Sequence, residues 1–350
     1  MKAVMCTKVG EMNDPDPEKR GAVDVLDVKE APLGPGDLRI KVAYCGICGS
    51  DPHQVAGIFG ESAPFPIGHE MSGVIVEVGP EAKINGFKPG DRVSGNFRYV
   101  CGTCYHCTNG QEQFCVSGDP PAGCMAEYVV WHEKQAVRLP ETVSLLHGSL
   151  LEPVSIAVRA VDKSNMKFGQ NVLISGGGPI GLLILQAINI FGAANLTLLE
   201  PNPQRRELAK KYGAKYVFDP TKDDVAAAVS GITSGRGFDA LFEVSGNRGA
   251  AMSLLDYAAK LANIIYVAQY DHAFDLPVNA YDMLYAGERG VTGMFVSPYT
   301  FTRTAQIIER FDLGAFTEAV YPIDDAKAAF ETHMSGKYPK VVIQCNPDLE

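Results

Sequence analysis

The 350 residues are enough for about two domains, and 46% hydrophobic against 21% charged content supplies two cores and excludes wholesale disorder. Lys and Arg total 31 against 41 Asp and Glu, for a net charge of −10 with no basic block, so neither nucleic acid nor a membrane surface is an expected partner. The apolar stretch Pro179–Phe191 is too short for a bilayer span and is interrupted by Gly181, Gln186 and Asn189.

Residues Met1 to Cys6 carry no apolar signal core with a cleavage site behind it, so a cytoplasmic location is expected. Disulfides rarely persist in a reducing compartment, and metal binding becomes the leading account for any of the nine cysteines that cluster.

In chain order, the first half reads as short β segments broken by Gly and Pro. Leu38–Ala43, Gly73–Val78 and Arg92–Gly95 run apolar or alternate, between turn signals such as Lys88-Pro89-Gly90-Asp91. The polar, Pro-rich stretch 13–20 reads as a solvated loop. After Pro153 the texture changes to strands separated by helical patterns. Val172–Ser175 precedes a helix over 179–191, and Leu196–Glu200 precedes one over 204–212. Phe238–Val244 precedes one over 249–262, followed by a strand at Ile264–Ala268. That alternation predicts a parallel sheet with crossovers. Residues 299–350 hold two amphipathic helical patterns and a strand at Lys340–Gln344, and spacing alone does not say which domain they join.

The strand at 172–175 runs into Gly176-Gly177-Gly178-Pro179-Ile180-Gly181, a G-x-G-x-x-G opening a helix. Gly176 permits the tight turn, Gly178 lets backbone approach a pyrophosphate, and Gly181 lets helix and strand pack closely. Glu200 ends the next strand 19 residues after Gly181, near the offset at which a carboxylate holds the ribose hydroxyls of a dinucleotide. A carboxylate there repels a 2′-phosphate, which favours NAD over NADP, although Arg205 and Arg206 lie close by.

Two further constellations carry chemistry. Cys101, Cys104, Cys107 and Cys115 place four thiols within fifteen residues, a set suited to a closed tetrahedral structural zinc. An iron–sulfur motif would continue with a shorter gap and a proline after the last cysteine, where this chain has Val116. The second set is dispersed: Cys48 and Ser50 in Gly46–His53, His69 and Glu70 after Gly68, and Glu152 before Pro153. A thiolate, an imidazole and a carboxylate form a mixed site that leaves a position open for substrate. Singly, Cys48 reads as a small buried residue, His69 as a core histidine and Glu70 as a solvated face.

Together, G-I-C-G-S-D-x-H at 46–53, G-H-E at 68–70, the cysteine lobe, E-P at 152–153 and the glycine fingerprint resemble the zinc-dependent medium-chain dehydrogenases. Among the alcohol, threonine and polyol enzymes of that superfamily, the polyol (sorbitol) branch is nearest. The resemblance spans nearly the whole chain and implies an α/β architecture. A GroES-like, β-rich catalytic domain over 1–153 and 296–350 would carry the zinc lobe at about 95–116. A Rossmann NAD-binding domain with a doubly wound parallel sheet would occupy 154–295.

Carried over residue by residue, the resemblance implies Cys48, His69 and Glu70 as catalytic zinc ligands. Glu152 would be a fourth ligand or would hold the zinc-bound water. Ser50 and His53 would be a proton relay, Asp51 the carboxylate orienting His69, and Cys45 a spectator. Gly176, Gly178, Pro179, Ile180, Gly181, Glu200 and Arg205 would contact NAD. It further implies two zinc ions per chain, an alcohol or ketone substrate and a homodimer or homotetramer, with the strand 290–296 as a contact edge. The sorbitol branch has a Tyr where Gln54 stands and an F-R-Y triplet where this chain reads Phe295-Val296-Ser297, so two polyol-holding contacts are missing. The expected reaction is reversible oxidation of a secondary alcohol to a ketone, the substrate being a polyol, sugar or sugar derivative. Threonine- or butanediol-type dehydrogenases and a non-catalytic NAD-binding scaffold are the alternatives.

Overall fold

A computed structural model describes residues 1–117, 123–270 and 273–349. The chain divides into two compact units. One comprises Met1–Pro153, Phe301–Glu309 and Leu313–Glu350; the other comprises Val154–Thr300 and Arg310–Asp312.

The first unit is built on strand Asp37–Gly46, whose inward residues Leu38, Ile40 and Val42 are fully buried. One edge of this strand is shared end to end. Asp37 to Lys41 pair with Tyr128–His132, and Tyr44 to Gly46 pair with Val341–Gln344. The C-terminal segment thereby completes the sheet begun by the N-terminal one. The other edge pairs antiparallel with Glu70–Val78, in a register that sets Gly46 opposite Glu70. This register brings the segment after Gly46 and the residue before Glu70 to the same end of the strand pair. A three-stranded sheet of Ala22–Asp27, Lys2–Lys8 and Phe65–Pro66 packs its inner face into the same core, through Val4, Cys6 and Phe65.

The second unit holds a six-stranded, all-parallel sheet: Asn171–Ser175, Asn195–Leu199, Tyr216–Phe218, Phe238–Glu243, Ala258–Tyr266 and Gly290–Gly293. Numbered along the sequence, their spatial order is 3-2-1-4-5-6, the doubly wound arrangement. Every residue of Asn171–Ser175 is buried, as a central strand covered on both faces requires. Helix Pro179–Phe191 begins with proline in its first turn and ends on Gly192 at φ 111°, so its limits follow from two local signals. The helix expected over 249–262 is shorter. It spans Arg248–Asp256, and Ala258 to Ala262 belong to a nine-residue strand. Helix-forming residues yield there because Ala258 pairs with Phe238, and Leu261, at φ 63°, sits within the accompanying register shift. The strand expected over 290–296 covers only Gly290–Gly293, at the sheet edge.

Candidate active site and metal centres

In the first unit, the Gly46–Glu70 register brings together the Cys48 thiol, the His69 imidazole and the Glu70 carboxylate, whose donor atoms lie within 4.8 Å of one another. A Cβ on Gly46 would stand 2.3 Å from Glu70 Oε2, so any larger residue there would displace the carboxylate from its present position. Gly68, at φ 96°, turns the chain where a side chain would meet Met125 and Cys45. Asp51 is 1% exposed and bridges the set, accepting from the Cys48 amide at 2.8 Å and standing 3.3 Å from His69 Nδ1. Burial acts against a charged His69 ring, but Asp51 and Cys48 outweigh it and hold the imidazole well above its ordinary range.

Glu70 is fully buried, and both its oxygens accept from Lys340 Nζ at 2.7 Å. Lys340 also donates to the Ile47 carbonyl at 3.1 Å. Little in the local sequence flags Lys340, because its partner lies 270 positions away. The one signal is a lysine preceding the fully buried Val341, Val342 and Ile343. Glu152 lies outside the 4.8 Å cluster but in its field. Burial, reinforced by the Glu70 charge, pushes its carboxyl up to about 7, against the opposing pull of His69 and Lys340. Ser50 opens the short helix Ser50–Val55, and His53, three residues on, is exposed. Cys45 is buried in the core beside Gly68 and is not one of the three converging donors. The donors fit a zinc ion: sulfur, nitrogen and carboxylate oxygen converge within one small cluster.

The thiols of Cys101, Cys104, Cys107 and Cys115 also converge within 4.8 Å. Cys101 Sγ accepts from the amides of Thr103 at 3.4 Å and Cys104 at 3.3 Å, while the Cys101 amide donates to Cys115 Sγ at 3.4 Å. The Ser117 hydroxyl and these amides hold the Cys101 thiol down to about 5. Amides aimed at sulfur stabilise thiolates, which is the form a metal needs. The set fits a closed four-sulfur zinc site.

In the second unit, a cavity of about 690 Å³ opens at the carboxyl ends of the strands. Gly176, Gly178, Glu200 and Arg205 line it, joined by Ser245 and Asn247, which the sequence motif did not single out. Gly176 has φ 108°, and a Cβ on Gly181 would stand 2.0 Å from the Gly176 carbonyl, so turn and helix pack as the fingerprint requires. Space beside Gly178 is open. Pro179 and Ile180 form the first turn of the helix behind that turn. Glu200 is 5% exposed and accepts from the amides of Gly177 at 2.7 Å and Asn202 at 2.8 Å. Arg206 is tied to the Glu200 and Pro201 carbonyls and to Asp219, which leaves Arg205 as the arginine at the cavity.

Comparison with known proteins agrees with both halves. Residues 34–141 match the alcohol dehydrogenase GroES-like domain, and residues 179–312 match the zinc-binding dehydrogenase domain. The chain is 33% identical over 323 residues to D-arabitol-phosphate dehydrogenase of Enterococcus avium, covering 88% of this chain and 90% of that one. The chain belongs to the zinc-dependent medium-chain dehydrogenase superfamily. It is an oxidoreductase of the zinc-binding dehydrogenase type, acting on alcohols.

The L-threonine 3-dehydrogenase of Pyrococcus abyssi is 33% identical over 330 residues, covering 91% of this chain and 94% of its own length. A structure from Sinorhizobium meliloti 1021, described as a zinc-binding dehydrogenase bound to NADP, has a TM-score of 0.89 at 29% identity and covers 98% of each chain. Among the described residues of this dehydrogenase, no helix is long and apolar enough to cross a membrane.

Proposed function

We propose that this dehydrogenase oxidises a secondary alcohol of the polyol, sugar or sugar-derivative class, reversibly and with NAD. The observation that carries the reading is the convergence of Cys48, His69 and Glu70 in one unit of a chain whose other unit presents a glycine-turn cavity ending at a buried glutamate. Bound zinc supplies Lewis acidity that makes an alcohol hydroxyl acidic near neutrality, and bound nicotinamide accepts the hydride. Cys48 and His69 would hold the zinc with Glu70 or Glu152, and Asp51 would orient His69 through Nδ1. Ser50 and the exposed His53 stand three residues apart on one short helix, and Ser50 would pass the alcohol proton outward, by way of the nicotinamide ribose, towards His53. Cys101, Cys104, Cys107 and Cys115 would hold a second, structural zinc.

Glu200 supports NAD over NADP, because a buried carboxylate at the rim disfavours a 2′-phosphate. Two positions bear on the substrate. The Gln54 amide donates to Glu61 Oε1 at 3.0 Å, and the Ser297 hydroxyl is buried at 2.6 Å from that of Ser155. Both polar groups are already engaged, which disfavours an unmodified sorbitol chain held as the sorbitol branch holds it. The relatives act, by name, on a sugar-alcohol phosphate and on L-threonine.

The test is initial-rate nicotinamide reduction by zinc-loaded protein, comparing NAD and NADP across polyols, sugar phosphates, vicinal diols and β-hydroxy amino acids. The expected result is turnover on the sugar-derived class, with kcat/KM for NAD roughly ten-fold or more above that for NADP. Turnover confined to β-hydroxy amino acids would assign the threonine-type reaction instead. Silence across the panel would point to a substrate outside it or to a binding role, and a preference for NADP would overturn the role given to Glu200.

A further inference from the structure

Glu243 ends the strand Phe238–Glu243 in the second unit and is fully buried. Four donors converge on its carboxylate. Oε1 accepts from the Ser245 amide at 3.0 Å and from the Ser245 hydroxyl, and Oε2 accepts from the Gly246 amide at 3.3 Å and from the Tyr270 hydroxyl. The Glu243 carbonyl accepts from the amides of Val267 at 2.9 Å and Ala268 at 3.3 Å, which start the segment after the neighbouring strand. One residue therefore ties together the segments leaving two adjacent strands, at the carboxyl edge where sheets of this topology bind ligands.

The network reaches a third segment. Ser245 Oγ accepts from the Asn247 amide at 3.1 Å, and Asn247 caps helix Arg248–Asp256 through the Ala250 amide at 3.0 Å. On its other side Ser245 lies against the glycine turn, where a Cβ on Gly176 would stand 2.8 Å from the Ser245 nitrogen. Ser245 and Asn247 line the same cavity as Gly176 and Gly178. A carboxylate can accept all four bonds at once, whereas an amide must turn a donor toward one pair of donors.

We propose that Glu243 is a positioning residue for the dinucleotide: it fixes the 244–247 turn against the glycine turn and so sets the shape of the cavity that receives the cofactor. This rests on the nucleotide-binding reading above and adds to it a residue that stands behind the cavity lining and outside both metal-ligand clusters.

Isothermal titration of zinc-loaded, full-length protein with NADH tests it, because the stoichiometry reports the folded fraction while Kd reports the shape of the site. For Glu243→Gln, Kd is expected to rise about ten-fold with stoichiometry retained, and for Ser245→Ala and Tyr270→Phe about three-fold each. A Glu243→Gln protein whose stoichiometry falls while Kd stays at the wild-type value would show a role in folding alone and overturn the proposal. Should that variant not fold, the two milder ones decide, and wild-type Kd in both would overturn it. Wild-type protein that binds neither NADH nor NADPH would instead overturn the nucleotide reading, and this proposal with it.

Discussion

The carboxylate of Glu70 and the ammonium of Lys340 are both withdrawn from water, at 0% and 3% side-chain exposure, and each is the other's principal counter-charge. Removing one partner of such a pair leaves an uncompensated buried ion, which costs about 3–5 kcal/mol. In metal-free protein, Lys340→Met is expected to lose stability of that order in urea denaturation, and a Glu70→Gln, Lys340→Met double variant should recover part of it. Equal midpoints for the wild type and Lys340→Met would show that the pair contributes nothing. Cys48 and His69 stand within local motifs and could be read from their neighbours. Lys340 could not, since only the pairing of Val341–Gln344 with Tyr44–Gly46 brings it to Glu70.

Among the elements, the cysteine lobe is held mainly by its own loop. Its helix Tyr105–Thr108 has four residues, none of them buried, too few to stand without outside support. Cys104→Ser should therefore lose about one zinc per chain by elemental analysis while the 4.8 Å cluster at Cys48 keeps its own metal. Unchanged zinc content would count against a four-sulfur site. Helix Pro179–Phe191 was legible because proline and glycine mark its two ends. The strand at Ala258–Ala262 was not, because its residues favour helix by themselves and only partners in the neighbouring strand overrule them.

For the molecule as a whole, metal and nucleotide should stabilise different units, since ligand binding protects the part that holds the ligand. Hydrogen exchange read by mass spectrometry is expected to accelerate in the 45–70 and 101–115 segments after chelation. NADH should slow it in the 175–180, 199–205 and 244–250 segments. Uniform protection across both units in each case would contradict this division of labour. The primary structure alone determined what short-range geometry can encode: a glycine turn opening a helix, four thiols within fifteen residues, and histidine and glutamate adjacent at 69 and 70. Tertiary structure decided that Lys340 occupies both oxygens of Glu70, that Arg205 rather than Arg206 faces the cavity, and that Glu243 joins the segments at the sheet edge. These depend on strand register and on a chain return that sets Lys340 293 positions from the Ile47 carbonyl it reaches, and such pairings leave no periodicity or spacing in the chain from which to read them.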